Sequence, residues 1–153
     1  IRDSLKAQEI KEFTGESSLA DDSGLEVDAL DGAPGVRSAR YAGTSATDRN
    51  NIDRLLDALD NVPDTDRTAR FRCVMAVAAS DGRTWTTKGV CEGYIARKPR
   101  GNFGFGYDPI FVPLGYDKTF AELDTIVKNR ISHRAIALRH MLKILQDLLN
   151  IKD

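Results

Sequence analysis

Between Arg70 and Ala79 apolar side chains recur at every second position, through Phe71, Cys73, Met75 and Val77. Asp81-Gly82 follows as a two-residue turn signal, and the chain then returns through Trp85, Thr87 and Val90. Period 2 suits a strand with one buried face and is incompatible with a helix, whose period is 3.6. The segment is therefore predicted to be a long antiparallel hairpin in a register that keeps those four side chains on one face.

The rest must pack around that hairpin. Leu5, Lys6, Ala7, Glu9, Ile10 and Phe13 predict an amphipathic helix over residues 1–13, stopped by Gly15. Ser18 to Gly24 is a short apolar rise ending in two carboxylates, followed by Leu25, Val27 and Ala29 at strand spacing; Asp31 to Gly35 reads as turn and loop. Thr47 can cap a second helix with Asp48 in its first turn and Ile52, Leu55, Leu56 and Leu59 on one face, ended by Pro63. Ile110 to Val112 makes a brief strand stopped by Pro113, and a last helix begins near Ser132 or Arg134 and carries Leu138, Met141, Leu142, Leu145, Leu148 and Leu149. Helices and strands interleave without a repeat or a linker, so the class is α/β (mixed α+β), with a mixed, partly antiparallel sheet in one domain over residues 1–153.

Charge and composition remove several functions. There are 22 Lys+Arg against 23 Asp+Glu, a net charge of −1 and a pI near 6.2. A duplex-binding module would carry a basic excess, so no nucleic-acid partner is expected, and a polyanionic ligand must be met by a few placed cations. No run of 18 apolar residues offers a membrane span. Cys73 and Cys91 have neither disulfide-scaffold numbers nor metal spacing. The chain opens Ile1-Arg2-Asp3 with no signal-peptide pattern, which makes the cytoplasm the expected location, and with no initiator Met, which suggests that the front of the protein is absent.

Three segments could carry chemistry. Asp21-Asp22-Ser23-Gly24 places carboxylates beside a Gly, suited to hold Mg²⁺ through oxygen or to orient a water, or else serving as a polar turn. Strand alternation sends the two Asp side chains to opposite faces unless the backbone bends. In Gly101 to Asp108 glycines alternate with Phe103, Phe105 and Tyr107, matching neither a dinucleotide fingerprint nor a phosphate loop. Such a loop can offer stacking rings to a planar ligand, or pack on its own core. In Lys128 to Arg134, Ser132 as N-cap puts His133 and Arg134 in the first helical turn, either facing an anionic or carbonyl-bearing ligand or forming an exposed basic turn. Together the three supply a carboxylate, a Gly/aromatic pocket and a basic helix start, the parts a nucleotide and its phosphates need.

Ala20-Asp21-Asp22-Ser23-Gly24-Leu25, Gly32-Ala33-Pro34-Gly35-Val36-Arg37-Ser38-Ala39-Arg40-Tyr41-Ala42-Gly43, Gly104-Phe105-Gly106-Tyr107-Asp108-Pro109-Ile110-Phe111, and Lys128 with Ile131-Ser132-His133-Arg134 occur in that order. In this the chain resembles the non-canonical purine nucleoside triphosphate pyrophosphatases, also called inosine triphosphatases or XTP/dITP diphosphatases, most nearly the bacterial type. The resemblance implies Mg²⁺-dependent hydrolysis of ITP, dITP and XTP to the monophosphate and pyrophosphate, which cleanses the nucleotide pool. It also implies a homodimer, an elongated mixed sheet and a cleft between two lobes. By motif position it makes Asp22 the proton acceptor and metal ligand and puts Ser23 against the nucleotide. Phe105, Gly106, Tyr107 and Asp108 would then line the base pocket, Lys128, His133 and Arg134 would read the purine, and Lys6 would reach the phosphates. Phe103 and Ala135 stand where the family commonly has Gly.

The family also begins with a strand, a Ser/Thr-x-x-Asn-x-x-Lys phosphate loop and a metal-sharing Glu, none of which occurs upstream of Lys6. Roughly forty to fifty further leading residues are therefore expected. That difference keeps a second reading open, a purine-nucleotide-binding module without catalysis. A phosphatase of the dehalogenase type would want Asp-x-Asp-x-Thr/Val, which Asp21-Asp22-Ser23 does not supply.

Overall fold

The computed structural model describes residues 18–79 and 81–152. The helix predicted over residues 1–13, its stop at Gly15 and the proposed phosphate contact Lys6 lie outside the described residues. A five-stranded sheet in the order β2-β1-β3-β4-β5 forms the frame: β1 (Ser18–Val27), β2 (Pro34–Gly35), β3 (Thr68–Ala78), β4 (Thr84–Ile95) and β5 (Phe111–Pro113). Every neighbouring pair is antiparallel, so the α+β class holds while the described sheet is antiparallel throughout rather than mixed.

The predicted hairpin is β3–β4, with Phe71 opposite Cys91 and Met75 opposite Thr87. Its connection differs from expectation. Ala79 N–H donates to Arg83 O at 2.8 Å, so the loop that this pair closes is longer than a two-residue turn. Gly82, at φ +91°, supplies the left-handed position at the end of that loop. β1 stops at Val27, before Ala29, and the predicted loop over 31–35 includes the edge strand β2, paired with Leu25 and Glu26. A side chain at Gly24 would sit 2.6 Å from Gly35 O, so the missing Cβ is what lets β2 close on β1.

Helix α1 (Asp48–Ala58) begins at the predicted cap: Thr47 Oγ1 accepts from Asn50 N–H at 3.1 Å, and Asn50 Oδ1 accepts from Thr47 N–H at 3.1 Å. Helix α2 (Thr125–Ile131) was not foreseen, and Asp124 caps it by accepting from Val127 N–H at 2.9 Å. Helix α3 (His133–Lys152) follows at once, with Ser132 Oγ accepting from Ala135 N–H at 3.1 Å.

One face of the sheet carries two apolar clusters. Leu25, Val27, Phe71 and Ile95 pack with Ile52, Leu55 and Leu59 of α1 and with Phe111 and Phe120. Further along β3, Cys73, Met75 and Val77 pack under Ala137, Met141 and Leu145 of α3. The alternation Phe71-Cys73-Met75-Val77 thus serves both clusters, and the gap between them opens toward the start of α3. The opposite face is polar, where Arg70 pairs with Asp28 at 2.9 Å and with Glu92 at 3.0 Å, and Arg72 with Glu26 at 2.8 Å.

Candidate active site

The gap is a cleft of about 910 Å³. Its floor is apolar: Phe71 stacks on the His133 ring at 4.6 Å between centroids with 12° between planes. His133 is buried, and its Nδ1 is a buried polar atom without a hydrogen-bond partner. Burial, reinforced by the positive charges of Arg134 and Lys128, pushes its pKa down to about 4, so the imidazole is neutral at ordinary pH. A neutral ring has one donor and one acceptor nitrogen, and the orphaned Nδ1 is a contact that a ligand can complete.

Arg134 leaves the first turn of α3 toward β1. Its Nε donates to Ser23 Oγ at 3.2 Å and lies 3.9 Å from Asp21 Oδ2. Its guanidinium carbon sits 5.0 Å from the Phe105 ring centroid, and Lys128 Nζ sits 5.1 Å from the same ring. An exposed aromatic face is therefore flanked by two cations, which attract the ring's negative face and remain able to donate to a ligand.

The loop that presents Phe105 owes its shape to its glycines. Gly104 lies at φ +79°, and a Cβ there would come within 2.1 Å of Asp108 Oδ2. That oxygen accepts from Phe105 N–H at 3.0 Å and pairs with Lys128 Nζ at 2.5 Å. Buried Asp108 thus ties the loop to α2. Tyr107 O–H donates to Ser38 O at 2.6 Å, and burial raises the phenol's pKa, which keeps it protonated and able to donate. Gly106 N–H donates to Asp48 Oδ2 at 2.9 Å.

Eight residues singled out from the sequence, Ser23, Phe105, Gly106, Tyr107, Asp108, Lys128, His133 and Arg134, line this one cleft. Asp22 does not. Register pairs Asp21 with Met75 and Asp22 with Val74, so alternation puts Asp21 on the cleft face with Ser23 and turns Asp22 to the other face. Because β2 pairs only with Leu25 and Glu26, β1 has an open edge beside Asp21 and Asp22 among the described residues, and a ligand leaving the cleft past that edge can reach either carboxylate. Among the described residues no group of three or more His, Cys, Asp or Glu is placed to hold a metal ion. A single exposed carboxylate at that edge nevertheless fits Mg²⁺, which commonly takes one or two carboxylates and completes its shell with water and phosphate oxygens.

The sequence reading missed several residues of the cleft wall, among them Ser38, Asp48 and Asn51. Ser38 Oγ accepts from Leu25 N–H at 2.9 Å and donates to Gly35 O at 2.6 Å, which joins β1, just past Ser23-Gly24, to the segment that receives Tyr107. Asp48 was legible only as an acid in a first helical turn, and nothing local in the sequence connects it to a loop 58 positions away.

Residues 3–144 match a model of the Ham1 family. The chain is 57% identical over 143 residues to the dITP/XTP pyrophosphatase of Desulforamulus reducens, covering 94% of this chain and 71% of that protein. It is 49% identical over 142 residues to the dITP/XTP pyrophosphatase of Bacillus subtilis, covering 93% and 72%. The structure of the Ham1 protein of Staphylococcus aureus superposes with a TM-score of 0.82 at 44% identity, over 94% of this chain and 74% of that one. A Coxiella burnetii HAM1 protein gives 0.81 at 49% identity, over 88% and 69%. Shared sequence along nearly the whole chain and a shared arrangement of strands and helices leave one assignment: the chain belongs to the Ham1 family.

Proposed function

We propose that the chain hydrolyses purine nucleoside triphosphates bearing a 6-oxo group (ITP, dITP and XTP) to the monophosphate and pyrophosphate, and so keeps deaminated purines out of the nucleotide pool. The observation that carries this reading is the convergence of Phe105, Lys128, Arg134 and the unpartnered His133 Nδ1 on one cleft. Support also comes from the relatives named dITP/XTP pyrophosphatase.

Phe105 offers its ring to the purine plane, while Lys128, Arg134 and a ring nitrogen of His133 address its edge. A 6-oxo group accepts from such donors. The 6-amino group of adenine cannot, and would leave a cation facing a donor, a mismatch that a polar site rejects strongly. Ser23 and Arg134 hold the sugar-phosphate end beside β1. Asp22, at the open edge of β1, would hold Mg²⁺, which when bound neutralises phosphate charge and polarises the phosphoryl oxygens. Water attacks the α-phosphorus, its proton passes to the Asp22 carboxylate, and the bond from the α-phosphorus to the α–β bridging oxygen breaks, releasing pyrophosphate. The same reading takes residues 1–153 as one domain of a cytoplasmic homodimer. Among the described residues no helix is long and apolar enough to cross a membrane.

Purified chain incubated with dITP, XTP, ITP or ATP should release pyrophosphate from the first three with Mg²⁺ and stop when the metal is chelated. Arg134→Ala should lower kcat/KM for ITP by about tenfold or more and narrow the ITP-to-ATP ratio. Binding of ITP without product would favour the silent binding module. Unchanged ITP and ATP kinetics in Arg134→Ala would remove that residue from recognition.

A further inference from the structure

We propose that Asp48 is a positioning residue for purine recognition: its carboxylate clamps the Gly106 amide and so sets the pose of the Phe105 ring. This inference rests on the purine reading of the cleft.

The Phe105 ring stands exposed between two cations, so burial does not hold it in place and its position follows from the backbone. That backbone is permissive, with Gly104 at φ +79° and Gly106 at φ +61° on either side. No atom lies within 4 Å of where a Gly106 Cβ would be, so Gly106 is unconfined by packing. Asp108 holds the Phe105 side of the turn, accepting from Phe105 N–H at 3.0 Å and donating its own N–H to Phe105 O at 3.2 Å, and the N–H of the peptide that follows Phe105 is held from the opposite side, by Gly106 donating to Asp48 Oδ2 at 2.9 Å. The next residue, Tyr107, is anchored through its hydroxyl to Ser38 O and through its carbonyl, which accepts from Ile110 N–H at 3.0 Å.

A clamp is useful only if its mount is rigid. Asp48 is the first residue of α1 and lies between Thr47 and Asn50, which bond to each other reciprocally. Buried Asn51, in the same turn, donates to Ala39 O at 3.1 Å and accepts from Ala42 N–H at 2.8 Å. The start of α1 is thus locked to the segment that also carries Ser38, and Asp48 transmits that fixed position to the ligand-facing loop.

An acid at a helix N-terminus also favours the helix dipole, a structural role separable by chemistry. Asp48→Asn removes the charge but retains an amide oxygen that can accept from Gly106, whereas Asp48→Ala removes both. In Asp48→Ala, KM for dITP should rise about five- to tenfold, with kcat within about twofold. Asp48→Asn should stay within about twofold of wild type in both. Calorimetric binding of IMP should follow the same order, and inhibition by inorganic tripolyphosphate, which has no base, should be unchanged in all three proteins. Asp48 is exposed, and thermal melts of the two variants monitor the shared loss of charge. Wild-type binding with an unaltered Asp48→Ala, an Asp48→Asn as impaired as Asp48→Ala, or an equal loss of tripolyphosphate inhibition would each overturn the inference alone. A wild-type chain that neither binds IMP nor turns over dITP would overturn the purine reading together with it.

Discussion

His133 carries the strongest electrostatic constraint on the cleft. Its imidazole is pressed between Phe71 and the base of α3, with Arg134 and Lys128 nearby, and its pKa falls to about 4 from an ordinary 6.5. In the unfolded chain it takes up a proton as pH drops through 6.5, while in the fold it resists until about 4. Stability is therefore complete above 6.5 and is lost progressively as pH falls from 6.5 to 4, by about 3 kcal/mol at the low end. Thermal melts between pH 7 and 4.5 should show this slope in the wild type and a flatter one in His133→Gln; parallel curves would remove His133 as its source. Ser23, Phe105, Lys128 and Arg134 were readable as candidates because their three segments together supply the carboxylate, stacking ring and cations that a nucleotide needs. Asp21 and Asp22 were harder to separate, since adjacent identical residues carry no sign of which faces the cleft, and register with Met75 and Val74 settled it.

At the scale of elements, α1 was legible because its cap, its acidic first turn and four apolar positions agree. Helix α2 was not, because Thr125-Ile126-Val127 opens it with three β-branched residues and its length is only seven residues. Tertiary contacts supply what propensity lacks. Asp124 satisfies its N-terminus, and Arg139 of α3 donates to Asn129 O at 3.2 Å and Arg130 O at 2.8 Å at its C-terminus. Since α2 carries Lys128, Arg139→Ala should loosen the helix as well as destabilise the fold by about 1 kcal/mol. Hydrogen exchange should quicken over residues 125–131 while β3 keeps its protection. Equal exchange in the two proteins would show that α2 does not depend on Arg139.

For the molecule as a whole, the seating of α3 on the sheet creates the cleft, and Gly89 permits it. A Cβ at Gly89 would lie 1.9 Å from His133 O and 2.6 Å from Ala137 N, both backbone atoms of α3 that no rotamer change can move aside. Thr87, two residues earlier on the same face, donates to Ala137 O at 2.8 Å and fixes the same contact. Gly89→Ala should therefore cost about 3 kcal/mol or more in urea unfolding and impair dITP turnover with it, because His133 and Arg134 ride on the displaced helix. Wild-type stability in that variant would mean that α3 is not held by this approach.

Local chemistry is what the sequence alone determined: period-2 alternation made β3–β4 a hairpin, Thr47 and Ser132 capped their helices, and the Gly/aromatic run and the basic helix start marked the site. These features depend on residues within a few positions of one another, and so they can be read along the chain. The tertiary structure decided which face of β1 meets Arg134, which carboxylate receives the Gly106 amide, and how closely α3 approaches β4. Those contacts join positions 111, 58 and roughly 45 apart, where no propensity acts and only the packing of both clusters on one sheet face brings the partners together.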